Sequence, residues 1–185
     1  TSDCTGFLRR IMEDPRTDEL ETPVVFGGIY DPEATLLCRD KVGQELTLTF
    51  GAKFDRSSSV PITAKGTVLA YIKGWNKFHG VGDIALFRSC GVDIVLSENH
   101  IGYGLPAVFG DLGRNPADMQ IVVCKLGYLT AQQAAYAKRS IMALSKGSTN
   151  EDLTSLDYRH IPRPIFPLDT DFLFEPAENL IRKTK

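Results

Sequence analysis

The chain has 185 residues, 43% of them hydrophobic and 24% charged, with a formal net charge of -2. That length buries enough surface to hold one core without staples, and the balance is ordinary for a globular protein. A charge near zero excludes a nucleic-acid or anionic-membrane binder, which needs a clustered positive field, and no apolar run reaches the length of a membrane-spanning helix.

Phe7, Leu8, Ile11 and Met12 recur at helical spacing, which predicts a short amphipathic helix over residues 5–14, capped by Asp3 or Thr5. The charged residues between them also argue against a signal peptide. Val24–Phe26 reads as a short buried strand. Asp31-Pro32-Glu33-Ala34 is a strong helix start, with Asp at the N-cap, Pro in the first turn and Glu against the dipole; the helix is expected to reach about Asp40. Glu45–Phe50 and Ala64–Lys73 alternate polar with apolar and predict a wide antiparallel hairpin around a loop over 51–61. Residues 74–82 read as turn-rich. Asp83–Phe87 and Val92–Leu96 flank Ser89-Cys90-Gly91 and predict a second hairpin.

A short helix is expected within 103–112, and Gln120–Cys124 reads as a buried strand. Thr130 and Gln133 form a capping box that opens the longest predicted helix, with Gly147 at its C-cap. Leu156–Asp169 follows, with prolines at 162, 164 and 167 that forbid a helix or a central strand. Its apolar residues call for burial, so it reads as a proline-rich strap laid across a domain surface, followed by a polar tail over 175–185. The whole reads as a single mixed α+β (α/β) domain over 1–185: a mixed, partly antiparallel sheet packed by helices, with a proline-rich C-terminal strap.

The chemistry-bearing residues are sparse. His79, His100 and His160 are the only histidines, none within four residues of another, so no metal-binding histidine pair exists and no zinc site is expected from this chain itself. Cys4, Cys38, Cys90 and Cys124 form no C-x-x-C pair. Cys38, Cys90 and Cys124 read as buried, reduced thiols acting as small hydrophobes, which suits a cytoplasmic setting. There is no G-x-S-x-G elbow and no phosphate loop. Lys125, at the end of a strand, either holds an anion or a substrate carbonyl or snorkels to water. His100, also at a strand end, is a candidate to line a cleft. Arg163, locked between Pro162 and Pro164, either clamps a substrate carboxylate or pins the strap by a salt bridge.

Several segments come in one order along nearly the whole chain: Asp3-Cys4-Thr5, Ile29–Ala34, Phe50–Asp55 with Pro61, Gly66-Thr67-Val68, Val122–Lys125 and Arg163–Asp169. With them the sequence resembles the C-terminal domain of the microcystinase C (MlrC) family of zinc metallopeptidases. The resemblance implies a two-domain parent that hydrolyses peptide or amide bonds, with zinc held by His and Asp of an N-terminal domain. Residues 1–5 then look like the remnant of the inter-domain junction, and the chain like an isolated C-terminal domain, inactive alone. The resemblance places Asp3 near the zinc cleft as a catalytic carboxylate, with Lys125, His100 and Arg163 as substrate-binding candidates. Its implied partners are that N-terminal domain and a small peptide or amide substrate, with a homo-oligomer also open.

This chain departs from the family after the buried strand, where Lys125-Leu126-Gly127-Tyr128-Leu129 stands in place of a Lys-Ser and His-Phe-Arg run. Asn99-His100 stands where many relatives carry paired arginines. Those differences imply a different substrate or the loss of one, so microcystin cleavage does not carry over. Two further readings remain open: a non-catalytic binding or assembly module, and a self-contained hydrolase built on a cysteine or histidine, with Cys4 the first candidate.

Overall fold

The computed structural model describes residues 4–56, 59–77, 80–144 and 150–173. Residues 1–149 and 150–185 are two compact units.

The first unit is built on a six-stranded mixed sheet: β1 (Val24–Tyr30), β2 (Glu45–Phe50), β3 (Ile62–Lys77), β4 (Gly80–Ser89), β5 (Val92–Ser97) and β6 (Val122–Cys124). The order across the sheet is β2-β3-β4-β5-β1-β6. β1 runs parallel to both of its neighbours, β5 and β6, whereas β2, β3, β4 and β5 pair antiparallel in succession. Strands flanked on both faces read as continuous apolar runs, as β1 does; β5 is buried along its whole length, with Asp93 held by Arg88 and Arg114.

The pleat divides the core in two. Val24, Phe26, Phe87, Ile94 and Leu96 share one face with Leu8 of α1 (Thr5–Glu13) and Ala34 of α2 (Pro32–Leu37). Val25, Ile84, Leu86 and Val95 share the other with Tyr103, and with Val108 and Phe109 of α3 (Ala107–Gly110). Ile29 lies on the face of Val24 and Phe26 although its spacing is odd, because the β1–β5 register shifts between Gly27 and Ile29. That irregularity is centred on Gly28, at φ 151°.

The predicted strands are present, most of them longer than their periodicity showed. Residues 74–77 and 80–82 are strand rather than turn: β3 runs to Lys77 and β4 starts at Gly80. A register shift between Ile72 and Trp75, with Gly74 at φ 60°, hides the alternation there. The β4–β5 turn uses positive φ at both Cys90 (48°) and Gly91 (69°), the geometry that matches strand twist. That puts Cys90 at an exposed tip, so it is not the buried thiol expected; Cys38 is buried and Cys124 partly so. β6 is a half-buried edge strand rather than a buried one, because it has a partner on one side only. α2 is shorter than expected, ending at Leu37. Thr5 is the first residue of α1 and Cys4 its cap, while Asp3 lies outside the described residues.

The largest correction is the long helix. The Thr130–Gln133 capping box forms as expected, but α4 spans only Ala131–Ala134. Helices in proteins are held chiefly by burial of an apolar face, and Ile141, Met142 and Leu144 are 73%, 54% and 56% exposed. Gly147 lies outside the described residues, as do His79 and the tail over 175–185. Among the described residues, no helix is long and apolar enough to cross a membrane.

In the second unit, residues 150–173 carry one short 3-10 turn, Leu153–Ser155. Its polar contacts are local: Arg163 pairs through its fork with Asp169, whose Oδ2 also accepts from the Ile165 N–H at 2.7 Å. The apolar side chains expected to be buried are not; Phe166 is 73% exposed. The prolines and this local pairing shape the segment without giving it a buried core.

Asp83 ties β3 and β4 together. Its carboxylate accepts from the Tyr71 hydroxyl, from Arg39 at 2.7 Å and from the Gly74 N–H at 2.8 Å. Burial pushes its pKa up, but the bonds from Tyr71 and Arg39 outweigh burial and leave it at about 2, against 3.8 in the unfolded chain. The folded value is the lower one, so Asp83 stabilises fully above pH 3.8 and loses its contribution as the pH falls toward 2. Wild type is expected to lose about 2 kcal/mol more than Asp83→Asn across that interval. Urea midpoints measured from pH 5 to pH 2 check this; parallel curves would refute it.

Candidate functional site

β5, β1 and β6 all end on the same side of the sheet, and the residues after each end gather there. Such carboxyl edges of parallel strands are where open sheets place ligands. β1 leads into Asp31, β5 into His100 and β6 into Lys125. The loop after β2, Gly51–Asp55, folds over them. Thr5 supplies the N-terminal side, packing so closely on Gly51 that a Cβ there would lie 2.4 Å from Thr5 Cγ2. Gly51 itself sits at φ 84°.

Asp31 organises the corner. Its side chain is fully buried. It accepts from the Ala34 N–H at 3.0 Å, capping α2, and from the Gly51 N–H at 2.9 Å, fixing the loop. Burial raises its pKa, opposed by those two N–H groups and by Lys53. Lys53 Nζ lies 3.9 Å from Asp31 and 2.5 Å from Glu33. Asp31, Gly51 and Lys53 line a cleft of about 340 Å³ together with Thr49 and Arg56.

The loop's outward residue is Phe54, 41% exposed. Among the described residues, three side chains stand against its ring. Tyr30 stands at 5.1 Å between centroids, His100 edge-on at 4.7 Å, and the Lys125 ammonium at 4.8 Å from the ring centre. The Lys125 nitrogen is out of solvent, so the contact is a desolvated cation–π pair, the stronger kind. His100 is exposed as a whole, yet its ring is partly desolvated. That burial, then the positive charge of Lys125, holds its pKa below the ordinary value, so it is a neutral imidazole at pH 7. Gly28 makes this possible, since a Cβ there would lie 2.7 Å from that of Lys125.

The structure therefore brings Lys125 and His100 together around one ring. Arg163 belongs to the second unit, with its fork spent on Asp169. Asp3 lies outside the described residues, immediately before Cys4. Cys4 packs against the core beside Leu8 and Phe7. Burial pushes the Cys38 thiol up to about 12 and the Cys124 thiol up to about 11, so neither is a ready nucleophile. Phe54 and Tyr30 were missed in the sequence as site residues. The available signal was that Tyr30-Asp31 and Lys53-Phe54 fall inside two of the ordered segments.

Among the described residues, no three of His, Cys, Asp and Glu come together to hold a metal ion. A buried ammonium beside the nearest histidine also disfavours a divalent cation. The described residues do not fit a zinc site.

A family model described as MlrC C-terminus matches residues 1–160. In structure the chain is similar to a candidate metallopeptidase from Mesorhizobium sp. BNC1, with a TM-score of 0.66 and 21% identity, covering 91% of this chain and 35% of that one. At that identity the likeness is one of fold, and this chain spans about a third of the neighbour's length. No curated protein matches the sequence.

Proposed function

Because this chain belongs to the MlrC C-terminal family, we propose that it forms the substrate-binding wall of a metallohydrolase acting on peptide or amide bonds. Zinc would be held by a separate N-terminal domain of the same protein. The observation that carries this reading is the convergence of Thr5, Asp31, Gly51–Phe54, His100 and Lys125 at the carboxyl edge of the three parallel strands. Scattered family segments meet at one place, and that place offers recognition groups rather than metal ligands.

The work of this chain is binding and orientation. Phe54 and Tyr30 offer ring faces to an apolar or planar part of the substrate. His100, uncharged at neutral pH, exchanges a hydrogen bond with an amide. The Lys125 charge, shielded from water, biases the wall toward a carbonyl oxygen or a carboxylate. Asp3 enters this proposal as a carboxylate that orients the substrate, because Cys4 and Thr5 bring the chain into the same corner. Arg163 enters as the residue that pins its own segment through Asp169.

The test compares the full-length parent protein with the 185-residue chain. The zinc-loaded parent is expected to hydrolyse short peptides and the chain alone to leave them intact. Hydrolysis by the chain alone, at a rate comparable to the parent's, would overturn the reading.

A second reading, a non-catalytic assembly module, draws on the exposed Ile141, Met142, Leu144, Phe166 and Leu173. It expects a parent with no hydrolytic activity and a chain that self-associates at tens of micromolar in sedimentation.

A further inference from the structure

β6 ends the sheet, with β1 as its one neighbour among the described residues. Toward β1 it uses the Ile121 carbonyl, which accepts from the Val25 N–H at 3.1 Å, and Lys125 follows by donating to the Gly27 carbonyl at 3.0 Å. In a parallel ladder the intervening groups alternate, so the N–H and C=O of Val122 and the N–H of Cys124 turn outward. The Cys124 carbonyl accepts from the Leu126 N–H at 2.9 Å, which ends the edge there. Among the described residues, no backbone hydrogen bond outside the β1 ladder meets the outward groups of Val122.

This edge borders a groove of about 640 Å³. Val122, Cys124 and Leu126 form one wall, and Tyr136, Ile141 and Met142 the other. The second wall exists because the chain leaves helical geometry after Ala134 and runs on extended and irregular. The groove is within the size of a site for a short peptide. The strand that lines it runs directly into Lys125 of the corner described above.

We infer that the outer edge of β6 takes an extended peptide as an additional strand, seating its apolar side chains in this groove and leading its main chain to the Phe54–His100–Lys125 corner. The inference rests on the reading of this chain as a peptide-binding wall, and it names the substrate class as extended oligopeptides rather than single-residue amides. The occupant is a peptide because outward, alternating donors and acceptors on a strand edge match peptide main chain and nothing smaller.

The test uses the 185-residue chain and no catalysis. The probe is an N-acetylated pentapeptide amide alternating valine and threonine, followed by amide NMR and calorimetry. Binding is expected to shift the Val122 and Cys124 amides and slow their hydrogen exchange. The same peptide N-methylated at alternate amides is expected to bind at least tenfold more weakly. Met142→Asp, an exposed groove position, is expected to weaken binding to a similar degree without changing the fold. Equal affinity for the N-methylated peptide overturns the inference, as do shifts confined to other strands or no binding at millimolar peptide. Concentration-dependent shifts of the same amides without peptide would show that a second copy occupies the edge, and would also overturn it. A parent that hydrolyses peptides while the edge stays silent removes this inference and leaves the proposed function standing. An edge that binds peptide in a parent without hydrolysis does the reverse.

Discussion

Replacing Asp31 by alanine is expected to cost about 3 kcal/mol of stability. Two losses add. The α2 cap disappears, which costs about 1 kcal/mol. The buried Gly51 N–H loses its acceptor, which costs about 2 kcal/mol. The residue has no solvent to fall back on, since its exposure is 0%. Asp31→Asn keeps one oxygen and is expected to lose roughly half as much. The pH dependence has a definite sign. Burial raises the folded pKa above 3.8, so the contribution of Asp31 is fully present below that value and declines as the pH rises through the folded pKa. Urea titrations should show a lower midpoint with an unchanged slope. An alanine variant with a wild-type midpoint would remove Asp31 as the organiser of this corner.

Lys125→Met in the full-length parent is expected to lower kcat/KM for peptide hydrolysis by about a hundredfold, the size seen when a preorganised electrostatic group is removed. Methionine preserves the stem that lies against Gly28 and keeps a polarisable group at the Phe54 ring, so the fold is expected to survive. What disappears is the charge. With it goes the repulsion that helps keep His100 neutral, so the His100 pKa is expected to rise in the same variant. The two readouts separate a functional role from a structural one. Unchanged kinetics would mean that Lys125 is only a strand-end residue packed on an aromatic ring.

Much of this sheet was legible from local pattern. β2 follows alternation that survives intact in the sequence, the β4–β5 hairpin is marked by Ser89-Cys90-Gly91 between two apolar runs, and Asp31-Pro32-Glu33 announces α2 because capping is a local effect. The errors fall where tertiary context decides. The Ala-rich run after Thr130 has helix propensity and a correct cap, but it buries no apolar face and stops after one turn. β3 looked shorter than it is because the shift at Gly74 breaks its period. Phe166 looked like a buried residue and is exposed. Lys125 and His100 were legible as strand-end groups, whereas Phe54, the ring that unites them, was not. Its place depends on Asp31 holding Gly51, a contact across 20 residues of sequence.

Under the proposed function, substrate meets this chain at the Phe54–His100–Lys125 corner. Photo-crosslinking tests it most directly, using a substrate peptide that carries a photoreactive phenylalanine, bound to the full-length parent and mapped by mass spectrometry. Adducts are expected on Tyr30, Phe54 and His100, with their loss when unlabelled peptide competes. Competable adducts found only outside this chain, with none on those three residues, would contradict it.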